Sequence, residues 1–150
     1  QYLRTLRSGL LEPEDTFSCG FLHDTPEDYD IGFDEIENKF GVRVTKSVRL
    51  VTKKYRGTVV PEQYYYEQIA EDSIASVVKG GDRNQNVSSM VGVFTREKQL
   101  SYVEETEKLV LPMLKKARRN FPEQESVYEN EKLLLNSQIA LIRKINEVQL

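Results

Sequence analysis

The sequence predicts an all-α helical bundle, on three observations. Apolar residues recur at helical spacing through most of the chain, and the alternation expected of strands is nearly absent. Prolines and glycines stand where helices start or stop. At 150 residues, with 39 % hydrophobic and 30 % charged, the chain is long enough to bury one proper core and is read as one domain over 1–150.

Taken in order, Tyr2, Leu3, Leu6 and Leu10 predict a helix from Gln1 to about Ser8. Because that pattern is already under way at Gln1, the natural N-terminus is expected upstream. Glu12-Pro13-Glu14-Asp15 is a helix start, with proline in the first turn and acids near the positive end of the helix dipole. That helix is expected to carry Phe17, Phe21 and Leu22 inward and to deliver His23 and Asp24 near its C-terminal end, with Thr25-Pro26 as a stop. Phe33, Ile36 and Phe40 form the apolar face of a short helix closed by Gly41. Val42, Val44, Val48 and Val51 predict another, before a basic loop Lys53-Lys54-Tyr55-Arg56-Gly57. A longer helix is expected from Pro61 to about Val78, then the polar stretch Gly80–Asn86, continued by Val87 to Phe94. Thr95-Arg96-Glu97-Lys98 opens a long helix through Val103, Val110 and Leu114, kinked by Pro112. After Phe121-Pro122 a last helix lines up Leu134, Leu141, Ile142, Ile145 and Val148.

Composition narrows the function classes. A net charge of −3 argues against a generally nucleic-acid-binding surface. No apolar run approaches the roughly 20 residues needed to span a bilayer, and no signal-peptide pattern opens the chain. The one cysteine, Cys19, has no partner for an internal disulfide and sits among apolar and small residues. It reads as a packing residue, and a reducing, cytoplasmic setting is expected.

Two segments carry the chemistry. His23 is the only histidine, and Asp24, Glu27 and Asp28 follow it within five residues. An imidazole beside a carboxylate offers two adjacent metal ligands, and the Glu-Asp pair could orient a water. Alone, His23-Asp24 equally suits a helix end and Glu27-Asp28 a solvated turn. The second segment, Lys79-Gly80-Gly81-Asp82-Arg83-Asn84-Gln85-Asn86, places Lys79, Asp82 and Asn86 on one side of a helix. Its two glycines would cost that helix roughly 2 kcal/mol relative to alanines. Either a ligand or another helix approaches closely there, or the helix breaks.

Together these segments resemble the HD-domain hydrolases of the RelA/SpoT type. His23-Asp24-Thr25-Pro26-Glu27-Asp28 matches their His-Asp-x-x-Glu-Asp signature, and Lys79-x-x-Asp82-Arg83-x-x-Asn86 is similar to their Lys-Leu-Ala-Asp-Arg-Leu-His-Asn segment. Phe33–Gly41, Val44, Val48, Val51-Thr52-Lys53, Glu97-Lys98-Gln99, Glu105-Thr106 and Pro112 extend the resemblance over about residues 1–115. It implies an HD-domain bundle that uses Mn2+ to remove the 3′-pyrophosphate of guanosine 3′,5′-bis-diphosphate alarmones. Carried over by position, His23, Asp24 and Asp82 would hold the metal. Glu27 and Asp28 would orient and deprotonate the attacking water. Asn86 would face the nucleotide near its ribose, with Lys79 and Arg83 as further pocket residues. Imidazole and carboxylates suit manganese, which acidifies water and offsets phosphate charge. Lys53, Lys54, Arg56, Lys79, Arg83 and Lys98 are the candidate cations for the substrate.

The departures are specific. The family's other metal-binding histidine falls some two dozen residues before its His-Asp pair, which is upstream of Gln1. Gly80-Gly81 stands in place of Leu-Ala, and Asn84-Gln85 in place of Leu-His, so the exact nucleotide is open. The chain carries no synthetase sequence, and if the whole protein is about this size it resembles the small stand-alone hydrolases. Two alternatives remain: a phosphohydrolase of another nucleotide, and a metal-poor HD domain that serves as a regulatory or interaction module.

Overall fold

A computed structural model describes residues 1–148. It is built from helices, with one two-stranded hairpin. The helices are α1 (Tyr2–Thr5), α2 (Pro13–Leu22), α3 (Thr25–Asp28), α4 (Phe33–Val51), α5 (Glu62–Ile69), α6 (Ser73–Ser89), α7 (Arg96–Glu105), α8 (Leu111–Asn120) and α9 (Glu125–Val148). The hairpin pairs β1 (Lys54–Tyr55) with β2 (Thr58–Val59). The all-α expectation holds.

α6 is the central element and packs on α2, α4, α8 and α9. A helix surrounded in this way must be apolar or small on nearly every side. Ile74, Ala75, Val77, Val78, Gly80, Gly81 and Val87 meet that need and are buried. Asp72 starts the helix: its side chain accepts the backbone N–H of Ile74 and Ala75 at 3.1 and 2.8 Å. That cap divides the single helix expected over Pro61 to Val78 into α5 and α6.

The glycine pair lies inside α6 and does not break it. A Cβ at Gly80 would fall 2.2 Å from Glu131 Oε2 of α9, and one at Gly81 would fall 3.0 Å from Leu3 Cδ2 of α1. Close approach of neighbouring helices therefore accounts for the pair. Glu131, fully buried, has no hydrogen-bond partner on either carboxylate oxygen, and burial pushes its pKa well above the ordinary range.

Other expectations shift by a turn or less. The first segment is a short α-helix followed by a 3₁₀ turn over Arg7–Gly9. Phe21, expected inside, is 84 % exposed, while Leu22 is buried. Thr25-Pro26 starts α3, because proline fits the first turn of a helix as well as the residue after one. Gly41 does end a helix, at φ 84°, and the chain resumes at once in a second helical stretch. Phe40 and Val42 flank that break and are exposed. The basic loop forms the hairpin. Pro112 has no N–H to give the carbonyl one turn back, and the expected kink appears as a wide π-type turn over Thr106–Val110. On α9 the buried line is Leu135, Ile139 and Ile142, with Leu134 half-buried and Leu141 and Val148 exposed.

Candidate functional site

α2 ends at Leu22, and α3 begins at Thr25, so His23 and Asp24 occupy the corner between two helices. The corner faces the middle of α6, where Asp82 lies one turn beyond Lys79 and one turn before Asn86. His23 Nδ1 lies 2.6 Å from the Gly20 carbonyl. A carbonyl only accepts, so that contact places a proton on Nδ1 and turns Nε2 toward the two carboxylates. Nε2 is buried, with Asp24 Oδ2 at 3.0 Å and Asp82 Oδ1 at 3.4 Å, and neither contact has hydrogen-bond geometry.

Asp82 is held from both sides on its own helix. Lys79 Nζ is 3.2 Å from Oδ2, and Asn86 Nδ2 donates to Oδ1 at 3.2 Å. The shared helix face expected for Lys79, Asp82 and Asn86 is thus present. Burial alone would raise the Asp82 carboxyl, but His23 and the Lys79 ammonium outweigh it and hold its pKa at about 2. The facing Asp82 carboxylate raises the His23 imidazole more than burial lowers it. Burial raises Asp24, against the pull of His23.

Two cavities meet at this point. The larger, about 420 Å³, lies between α1, α2 and α6, and the smaller, about 160 Å³, opens toward the hairpin, α5 and α7. His23, Val78 and Asp82 form the wall between them. Asp24, Glu27, Lys53, Lys79 and Glu105 line the smaller cavity. Glu27 Oε1 accepts the backbone N–H of Lys53 at 2.6 Å and of Lys54 at 3.1 Å, which fixes α3 to the start of the hairpin. Its other oxygen is left for a further partner. Asp28 is exposed on the same turn.

The cations are mostly committed. Arg83 is 3 % exposed and donates to Tyr66 Oη at 2.8 Å and to Glu105. Lys53 Nζ bonds Glu62, Arg56 pairs with Asp30 at 3.5 Å, and Lys98 sits 3.9 Å over the Phe94 ring. Lys79 also lies near the Tyr65 ring, at 5.7 Å. Sequence reasoning missed Tyr65 and Tyr66 as wall residues, and the run Tyr64-Tyr65-Tyr66 was the available signal. It also gave Glu105 no role, although that carboxylate holds Arg83 in place.

Donor chemistry at the corner suits a divalent ion: one imidazole with a free, buried Nε2 and two carboxylates. As they stand, however, the carboxylates lean on the ring. Among the described residues no group of three or more His, Cys, Asp or Glu side chains is arranged to hold a metal.

Comparison with known proteins gives one informative result. The chain is 36 % identical over 106 residues, 66 % of its length, to the guanosine-3′,5′-bis(diphosphate) 3′-pyrophosphohydrolase of Aquifex aeolicus (strain VF5). Over those residues it is related to that enzyme. It spans 15 % of the relative's length. No family model matches the chain, and no solved structure does.

Of the four residues that depart from the expected segment, three have packing roles. Gly80 admits Glu131, Gly81 admits Leu3, and Asn84 Nδ2 donates to the carbonyls of Gly80 and Glu131, both at 3.2 Å. Gln85 is the side chain of the four that opens onto the larger cavity.

Proposed function

We propose that the chain is a hydrolase domain that removes the 3′-pyrophosphate of guanosine 3′,5′-bis-diphosphate, with Mn2+ held by His23, Asp24 and Asp82. The observation that carries this reading is the buried Nε2 of His23, left without a hydrogen bond between two carboxylates. A buried ring nitrogen deprived of a partner costs free energy unless something else binds it. The activity for which the Aquifex aeolicus relative is named supports the choice of substrate.

The ion, when bound, supplies Lewis acidity that lowers the pKa of a water and draws charge from the phosphate. The protein's own groups do the rest. Gly20 holds the His23 tautomer through Nδ1, the partner that metal-ligating histidines need. His23 and Lys79 favour the ionised Asp82 carboxylate, and the Asn86 amide orients it. Glu27, anchored through Oε1, presents Oε2 to orient the attacking water and take its proton, with Asp28 beside it. Lys53 and Lys79 line the smaller cavity and would meet the pyrophosphate there, Lys53 in exchange for Glu62 and Lys79 while it holds Asp82. Water attacks the phosphorus attached to the 3′-oxygen and that P–O bond breaks. The water oxygen stays on the released pyrophosphate, and the 3′-oxygen takes the proton that Glu27 accepted and leaves as the ribose hydroxyl.

The test is pyrophosphate release from guanosine 3′,5′-bis-diphosphate by purified protein supplied with Mn2+, with and without a chelator. Release that needs the ion supports the reading. No release from this or other guanosine nucleotides, with the ion in excess and the protein folded, would overturn it.

A further inference from the structure

Gly20 of α2 and Gly81 of α6 both receive the Leu3 side chain, with the Tyr2 ring also beside Gly81. A Cβ at Gly20 would lie 2.9 Å from Leu3 Cδ1, and one at Gly81 would lie 3.0 Å from Leu3 Cδ2. The branched end of Leu3 therefore rests on the backbone of both helices at once, which two missing β-carbons permit. These two positions adjoin the candidate ligands. The Gly20 carbonyl receives the His23 Nδ1 proton, and Gly81 immediately precedes Asp82.

α1 is only four residues long and cannot hold Leu3 in place by its own hydrogen bonds. The neighbouring Tyr2 does so, donating its hydroxyl to Asn130 Oδ1 of α9 at 2.7 Å. Leu3 thus rests on both α2 and α6, and its neighbour Tyr2 ties the segment to α9. It also lines the larger cavity together with His23 and Asp82.

We infer that Leu3 is a positioning residue, a spacer that sets the separation of α2 and α6 and hence the gap between the His23 imidazole and the Asp82 carboxylate. Metal ligands must be placed to within about 0.2 Å, so a spacer of this kind governs affinity without touching the ion. Its consequence for metal binding rests on the reading given under Proposed function. The spacing role itself does not.

His23 is the only histidine in the chain, so its ring 15N resonances are unmistakable. They are to be recorded in metal-free protein at one pH for the parent, Leu3→Ala, Leu3→Met and Leu6→Ala, with Mn2+ affinity measured alongside by electron paramagnetic resonance. Leu6 is a half-buried neighbour packed on the core and serves as the control for stability. Leu3→Ala is expected to move the ring signals and weaken Mn2+ binding about tenfold, the scale of supporting-residue effects at metal sites. Leu3→Met is expected to restore both, and Leu6→Ala to leave both in place. Leu3→Val replaces Leu3→Ala if the latter does not fold. Ring signals that stay put in the shortened variant would overturn the inference, whether or not the ion binds. Signals moved by Leu3→Ala, together with a parent that binds no Mn2+, would leave the spacer standing and remove the metal reading.

Discussion

Two aspartates of α6 have sharply different surroundings, Asp72 buried as its N-cap and Asp82 half-buried at its middle. Asp72, at the N-terminus, is 2 % exposed and fully partnered: Arg43 Nη1 at 2.8 Å, Ser47 Oγ at 2.9 Å, and two backbone N–H groups. Arg43 reaches on to Glu12 and Ser73, so every group in the cluster has a use. Asp82, ten residues later, has one lysine, one amide and a histidine whose Nε2 has no hydrogen bond. The same residue type on the same helix closes a structural network at one end and faces two cavities at the other. Unspent bonding capacity, more than charge, separates the place for chemistry from the place for architecture.

Variants that exchange these characters are the way to break the contrast. The largest effect is expected from Asp82→Ala, which abolishes pyrophosphate release while the circular dichroism spectrum stays helical. Retained activity would return Asp82 to a structural role. Next is Glu27→Gln, expected to lose about 10²- to 10⁴-fold in rate, the usual worth of a positioned proton acceptor. The amide oxygen still accepts from Lys53 and Lys54, so the hairpin stays in place. A rate within a few-fold of the parent would pass the role to Asp28.

Asp72→Ala should do the reverse. It removes a helix cap and leaves Arg43 short of a partner, at a cost of about 3 kcal/mol in urea unfolding. Activity per folded molecule should be unchanged. A loss of activity without a loss of stability would merge the two ends of α6 into one site. The smallest effect concerns Glu131, a buried carboxylate with no hydrogen-bond partner on either oxygen. Its folded-state pKa lies above its unfolded value, so the unfolded chain gives up a proton that the folded chain keeps. Stability is therefore full below the ordinary carboxylate range and falls as pH rises through it, by about 1.4 kcal/mol per pH unit for one proton. Glu131→Gln should flatten that slope by the same amount, and an identical slope in both proteins would place an ionised, solvated carboxylate there.

The fold class was legible because apolar spacing carries it, and the pairing of His23 with Asp82 was legible through two short motifs. Faces were less so. Leu134, Leu141 and Val148 make as good a helical line as Leu135, Ile139 and Ile142, and only the position of α6 decides which is buried. The division at Asp72 had a local signal, an aspartate that caps the N–H groups of Ile74 and Ala75, but it stood inside a run of residues that suit a continuous helix. Glu27's bond to the hairpin amides had no local signal, because the acceptor and donors lie 26 and 27 residues apart. The glycine pair was visible as an oddity but not as a seat, since the side chains that need it come from the two ends of the chain.

The wide turn over Thr106–Val110 is, in effect, one residue more than an α-helix requires. It offsets the phase of α8 from that of α7 by about 100°, the rotation of a single residue. Glu107 and Lys108 are exposed and replaceable by sequence. They are not removable. Deleting either would bring the two helices into phase and turn Met113, Leu114 and Ala117 off the core. The surface there tolerates changes of chemistry but not of length.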